Sequence, residues 1–281
     1  MKLIITIILF GVFTSCDNHN ELSFDKDLLP NNAHDDSIKS SEKAKSVLLK
    51  ITNINKSTTT ATGFFVKYKN KEYFLTNWHV LTGREATNLA IKTHKPDYLV
   101  TLTTSKNEVP LYFPVKDNKW IEYRDSTGLL FDIVAISYEA PFPIDANKFV
   151  IDYISNNQDE KDSCIIIGFP RSLLKDKDLH KKPIMIKAKY NVIGSENFQY
   201  LLKNLYSNGT FITWNNKMEN GISGSPVFSL KMNLIGIYST KFHQIGETKS
   251  STLDYGFFWN ISAIKKLLDN GKRVDWSKSG W

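Results

Sequence analysis

The chain has 281 residues, 41% of them hydrophobic and 12% aromatic, and a formal net charge of +7. That apolar share excludes a disordered or fibrous chain and is ample for a buried core, while the length exceeds one small domain and fits two modest ones. Two cysteines exclude a disulfide framework. Zinc-finger spacing, a phosphate loop and His-Glu-x-x-His are absent from the sequence, so no metal or nucleotide cofactor is implied.

The chain opens with Lys2 and an apolar run from Leu3 to Phe13, the length of a secretory h-region and too short to span a bilayer. Residues 1–15 are therefore expected to be a signal peptide rather than structure. The run ends Phe13-Thr14-Ser15-Cys16, which resembles the lipobox of bacterial lipoproteins. This resemblance implies lipidation at Cys16 and a bacterial cell-envelope location, the membrane being contacted through the N-terminal lipid. The alternatives are an ordinary signal peptide ending near a cysteine, or a buried thiol. Residues 17–43, rich in Asn, Asp, Ser and Lys, read as a flexible tether able to reach about 90 Å when extended.

Regular structure is expected from about residue 44. Ser46 to Ile51 reads as a strand. Gly63 to Tyr68, a polar turn at Lys69-Asn70-Lys71, and Glu72 to Thr76 make a hairpin with His79 beyond its far end. Tyr98 to Thr103, Val109 to Val115 and Leu129 to Tyr138 complete a first half at about 44–138. Residues 139–160, opening with Ala140-Pro141-Phe142-Pro143, are turn-rich and read as a connection.

A second half at about 161–259 repeats the pattern with Cys164 to Gly168, Ile184 to Tyr190, Thr210 to Trp214, Pro226 to Leu230, Leu234 to Ser239 and Tyr255 to Trp259. Cys164 sits in a buried-strand pattern and is expected to serve core packing. Asn260 is placed to cap a helix over residues 261–269 that Gly271 ends. Short strands between turn signals, without long helical periodicity, predict an all-β fold of barrels or sandwiches. His180-Lys181-Lys182 and Lys265-Lys266 read as solvated faces, so nucleic acid is not an expected partner.

Three stretches carry chemistry. Gly221-Ile222-Ser223-Gly224-Ser225-Pro226 flanks a serine with glycines, which suits a turn presenting a hydroxyl beside backbone N–H groups. Phe74-Leu75-Thr76-Asn77-Trp78-His79-Val80 ends an apolar run on a histidine. Leu129 to Ile136 holds Asp132 inside an otherwise apolar strand, and a buried carboxylate needs a partner. His79, Asp132 and Ser223 follow in that order, 53 and 91 residues apart.

These motifs resemble the trypsin-like serine peptidases, whose bacterial members carry Thr-Asn-x-His-Val, Asp-Ile-x-Ala and Gly-x-Ser-Gly-Ser-Pro; the resemblance covers roughly residues 44–270. It implies two packed six-stranded antiparallel β-barrels with a short C-terminal helix and a cleft between them. It further implies a serine endopeptidase acting on protein or peptide, with Ser223 as nucleophile, His79 as base, Asp132 orienting it, and Gly221 and Ser223 N–H groups as the oxyanion hole. A monomer is expected.

Trypsin-type zymogens carry an aspartate where this chain has Ile222, so activation by an inserted amino terminus is not expected. The substrate pocket is expected around Lys217, Tyr238, Ser239 and Lys241. Glutamyl endopeptidases have a histidine where Tyr238 stands, which argues against a glutamate preference. Ser225 is assigned no catalytic role. His94, His180 and His243 lack the strand context of His79. Two other readings stay open: a catalytically inactive binding module on the same fold, and ester or acyl-transfer chemistry by the same three side chains.

Overall fold

The computed structural model describes residues 47–52, 58–82, 99–103, 111–114, 120–138, 148–150, 163–169, 184–190, 208–213, 221–245 and 252–274. The expected signal peptide, Cys16, the tether and Lys217 lie outside them.

The first half is built from β1 (Val47–Thr52), β2 (Thr58–Tyr68), β3 (Lys71–Thr76), the one-turn helix α1 (Trp78–Thr82), β4 (Leu99–Thr103), β5 (Leu111–Pro114), β6 (Trp120–Glu122), β7 (Val134–Tyr138) and β8 (Lys148–Val150). The second contains β9 (Ser163–Gly168), β10 (Ile184–Tyr190), β11 (Gly209–Thr213), β12 (Pro226–Phe228), β13 (Leu234–Ile245) and β14 (Thr252–Asn260). Helix α2 (Ile261–Asn270) and β15 (Lys272–Val274) follow.

The all-β, two-part architecture is as expected. The second half closes into a six-stranded barrel in the order β10-β11-β14-β13-β12-β9. The first half is richer than the expected six strands. Among the described residues its pairings form an open path, β15-β6-β7-β3-β2-β1-β4-β5, with β8 added in parallel to β2. Thus β8 falls inside the expected connection, and β15 returns from the end of the chain to pair with β6. Both are three-residue strands whose pairing is entirely non-local, so no local pattern announces them.

The β2–β3 hairpin turns on Lys69 and Asn70, both at positive φ (46° and 63°), the geometry that matches the twist of the flanking strands. Within it, Phe64, Val66, Tyr73 and Leu75 are buried. They join a core that runs through both halves, with Phe131, Ile133, Ile237, Phe257 and Trp259. Phe131 stacks on Trp259 at 4.6 Å, and Phe257 meets Trp259 edge-on at 5.2 Å.

Helix α2 seals this core with Ala263, Ile264 and Leu267, and packs on β13, β14, β6 and β7. Its cap is as expected: Asn260 Oδ1 accepts the Ala263 N–H at 3.0 Å. At the other end the Gly271 N–H donates to Leu267 O at 2.8 Å. Asp269 on this helix receives Lys69 Nζ at 2.7 Å and Tyr68 Oη at 3.0 Å, fastening the hairpin tip to it.

Candidate active site

The pairing of β3 ends at Thr76, and the chain turns directly into α1, so His79 stands in a helical turn rather than at the end of a strand. Asp132 also departs from its expected place. It lies in a bend between the Arg124–Leu130 bridge and β7, not inside a strand. Its carbonyl accepts Asn77 Nδ2 at 2.7 Å and is thereby lost to a ladder. The neighbours Phe131 and Ile133 are fully buried and hold the bend in the shared core, leaving Asp132 at the seam between the halves.

The Asp132 carboxylate receives three donors. Oδ1 accepts the His79 backbone N–H at 2.9 Å, and Oδ2 accepts His79 Nδ1 at 2.7 Å and Ser239 Oγ at 2.5 Å. An ionised carboxylate only accepts, so Nδ1 carries the proton of this bond and a neutral imidazole keeps its lone pair on Nε2. Ser239 is the extra residue of a bulge in β13, between Tyr238 and Thr240. The bulge lets Tyr238 enter the barrel core while Ser239 turns to the seam.

The serine turn has Gly221 and Gly224 at φ 98° and 85°, which a side chain would strain. A Cβ at Gly224 would also overlap Thr62 O and come within 2.6 Å of Thr76 Oγ1. Ser223 is half-buried, its carbonyl accepting Thr62 N–H at 2.9 Å. Thr76 Oγ1 in turn donates to Thr62 O at 2.9 Å. Thr62 therefore ties the serine turn to the end of the strand that leads into His79. Gly224 N–H to Tyr238 O (2.9 Å), Tyr238 N–H to Ser225 O (2.8 Å) and Ser225 N–H to Ile222 O (3.0 Å) close the turn against β13.

A protein-family model described as Trypsin matches residues 39–268. The chain belongs to the trypsin family. Its fold is that of trypsin-like serine proteases. It is similar to the inactivated protease paralogue S-I1 of the scabies mite (11% identity, TM-score 0.51, 80% of this chain and 92% of that one). It is also similar to the protease Anisep of Arthrobacter nicotinovorans (12%, TM-score 0.50, 80% and 94%) and to a serine endoprotease of Yersinia pestis (15%, TM-score 0.48, 83% and 65%). Among curated proteins no match is found.

In this trypsin-family chain Ile222 is 1% exposed and packs with Cys164, Ile166, Val227 and Phe258 in the core of the second barrel. An apolar anchor thus stands where the zymogen aspartate would be. Cys164 is buried, and burial pushes its thiol up to about 12, consistent with its expected packing role. Ser225 is also fully buried, its hydroxyl without a hydrogen-bond partner among the described residues.

Of the expected pocket residues, Tyr238 is buried in the second core, and Ser239 is 2% exposed with its hydroxyl on Asp132. The backbone of Lys241 pairs with Gly256, and its side chain lies outside the described part. Three contributors escaped the sequence reading: Thr62, the carboxylate bond of Ser239, and Glu122. Glu122 accepts Trp78 Nε1 at 3.2 Å next to His79, and burial raises its carboxyl above the ordinary range against the opposing pull of Trp78 and Arg124. Asn77 stands inside the quoted Thr-Asn-Trp-His motif, which was the one available signal for its role.

Proposed function

We propose that this trypsin-family chain is a serine endopeptidase in which Ser223 attacks the scissile carbonyl and His79 Nε2 takes its proton and returns it to the leaving amine. Asp132 keeps the proton on Nδ1 and stabilises the imidazolium as it forms. Gly221 and Ser223 N–H groups receive the oxyanion; removing one such donor typically costs about 10²–10³ in turnover. The observation that carries this reading is the bidentate hold of Asp132 on His79, through Nδ1 and the backbone N–H.

The test is reaction of the full chain with a fluorophosphonate probe, alongside Ser223→Ala, with the modified residue mapped by mass spectrometry. Labelling at Ser223 that vanishes in the variant is the expected result. A folded wild-type chain that is never labelled would overturn the proposal and leave the inactive binding module.

The proposal extends to location. Cys16 would carry lipid after removal of residues 1–15 and hold the enzyme on a bacterial envelope membrane. Two or more acyl chains suffice for stable anchoring. Cys16→Ala should move the protein to the soluble fraction, and unchanged fractionation would contradict anchoring. The substrate would be a protein or peptide, with Lys217 and Lys241 bordering its pocket, and Ile222 in place of aspartate means activity without proteolytic trimming.

A further inference from the structure

We propose that Thr62, in the first half, is the positioning residue that sets the oxyanion turn of the second half; this rests on the serine-peptidase reading above. Thr62 is fully buried and all its polar groups are engaged, its hydroxyl and N–H across the seam and its carbonyl within the first half. Its Oγ1 donates to Gly221 O at 3.0 Å and accepts the Phe169 N–H at 3.1 Å. Its N–H donates to Ser223 O, and its carbonyl accepts Thr76 Oγ1.

The reason these groups are available is the register of β2. Pairing with β3 runs only from Phe64 to Tyr68, so at Thr62 the side of β2 facing β3 has no strand partner. The other side pairs with β1, where Thr62 stands opposite Leu48. The serine turn occupies the vacated side.

Gly221 O belongs to the peptide linking Gly221 and Ile222. The peptides on either side of it carry the Gly221 and Ser223 N–H groups, so a shift of this plane is passed to both donors, and Gly221, at φ 98°, has no Cβ to resist that shift. The Thr62 hydroxyl fixes the plane from the carbonyl side. The Phe169 N–H fixes the hydroxyl in turn: it occupies one lone pair of Oγ1, while the proton is directed at Gly221 O. Buried Ile222 anchors the same peptide from within the barrel, so the turn is held without any ion pair at this position. An oxyanion site gains from donors that need no reorganisation as charge develops, and this clamp is the local source of that rigidity.

Thr62→Val keeps the shape and removes the hydroxyl; Thr62→Ser keeps the hydroxyl. In the full chain, Thr62→Val should lower the rate of fluorophosphonate labelling at Ser223 by about 10- to 100-fold, less than loss of a donor itself. With p-nitrophenyl acetate it should lower kcat with little change in KM, the signature of an interaction expressed in the transition state. Thr62→Ser should return both to within about threefold of wild type. A folded Thr62→Val chain labelled at the wild-type rate, or no recovery in Thr62→Ser, would overturn the proposal. Should the wild type itself resist labelling, the peptidase reading fails separately. Crystal structures of the two variants then decide the clamp: a rotated Gly221–Ile222 peptide in Thr62→Val alone upholds it, and an unmoved peptide removes it.

Discussion

Ser239 Oγ donates to Asp132 Oδ2 at 2.5 Å, so a residue of the second barrel completes the carboxylate that orients a histidine of the first half. Hydrogen bonds to charged groups are worth about 1.5–3 kcal/mol. Ser239→Ala should therefore lower kcat by about tenfold or more on an ester or peptide substrate and lower the melting temperature by about 3–10 °C, with the fold retained. Full activity in that variant would show that Asp132 is positioned by His79 and Asn77 alone.

Asp132→Asn tests the tautomer argument directly. A carboxamide that turns its NH₂ toward His79 favours the proton on the wrong ring nitrogen, and the same change in a matching site lowers kcat by about 10⁴. The expected result is that loss of turnover with the fold retained by circular dichroism. A drop of less than about tenfold would mean that the imidazole keeps its orientation without the charge.

Glu122 supplies a pH dependence. Burial holds its carboxyl above the ordinary value of 4.5, with the Trp78 N–H and Arg124 acting in the opposite direction. The folded state thus keeps the proton where the unfolded chain has released it. Stability from this site is complete below the unfolded value and declines as pH rises toward the folded one. Glu122→Gln, which keeps an oxygen for Trp78 Nε1, should raise the melting temperature at about pH 8 and give no gain at about pH 4. An equal effect at both pH values would contradict this account.

Helix α2 begins at a side-chain cap that also organises its neighbourhood: Asn260 Oδ1 accepts the Ala263 N–H and Ser262 Oγ, and the Asn260 N–H donates to Asn208 O. Asn260→Ala should cost about 1 kcal/mol in urea unfolding, with Asn260→Asp close to wild type. Because α2 packs on strands of both halves, the loss should appear as one cooperative transition. Separate transitions for the two halves would show that the helix does not couple them.

Local chemistry was enough to read much of this protein. The Lys69-Asn70 turn between apolar runs fixed the hairpin, Asn260 and Gly271 bounded the helix, and β-branched runs marked most strands of the second barrel, because each signal acts within a few residues. The short motifs around His79, Asp132 and Ser223 likewise resemble those of a family and so imply a chemistry. What the chain alone left undetermined depends on groups far apart in sequence. The bond of Ser239 to Asp132 spans 107 residues, and that of Thr62 to Gly221 spans 159. A serine in a strand and a threonine before a glycine are ordinary locally. They acquire positions at the seam only when a bulge, a vacated strand edge and two docked halves aim their hydroxyls. The same reason hid β8 and β15, three-residue strands that exist through their pairing with β2 and β6, and displaced His79 and Asp132 from the strands expected to hold them.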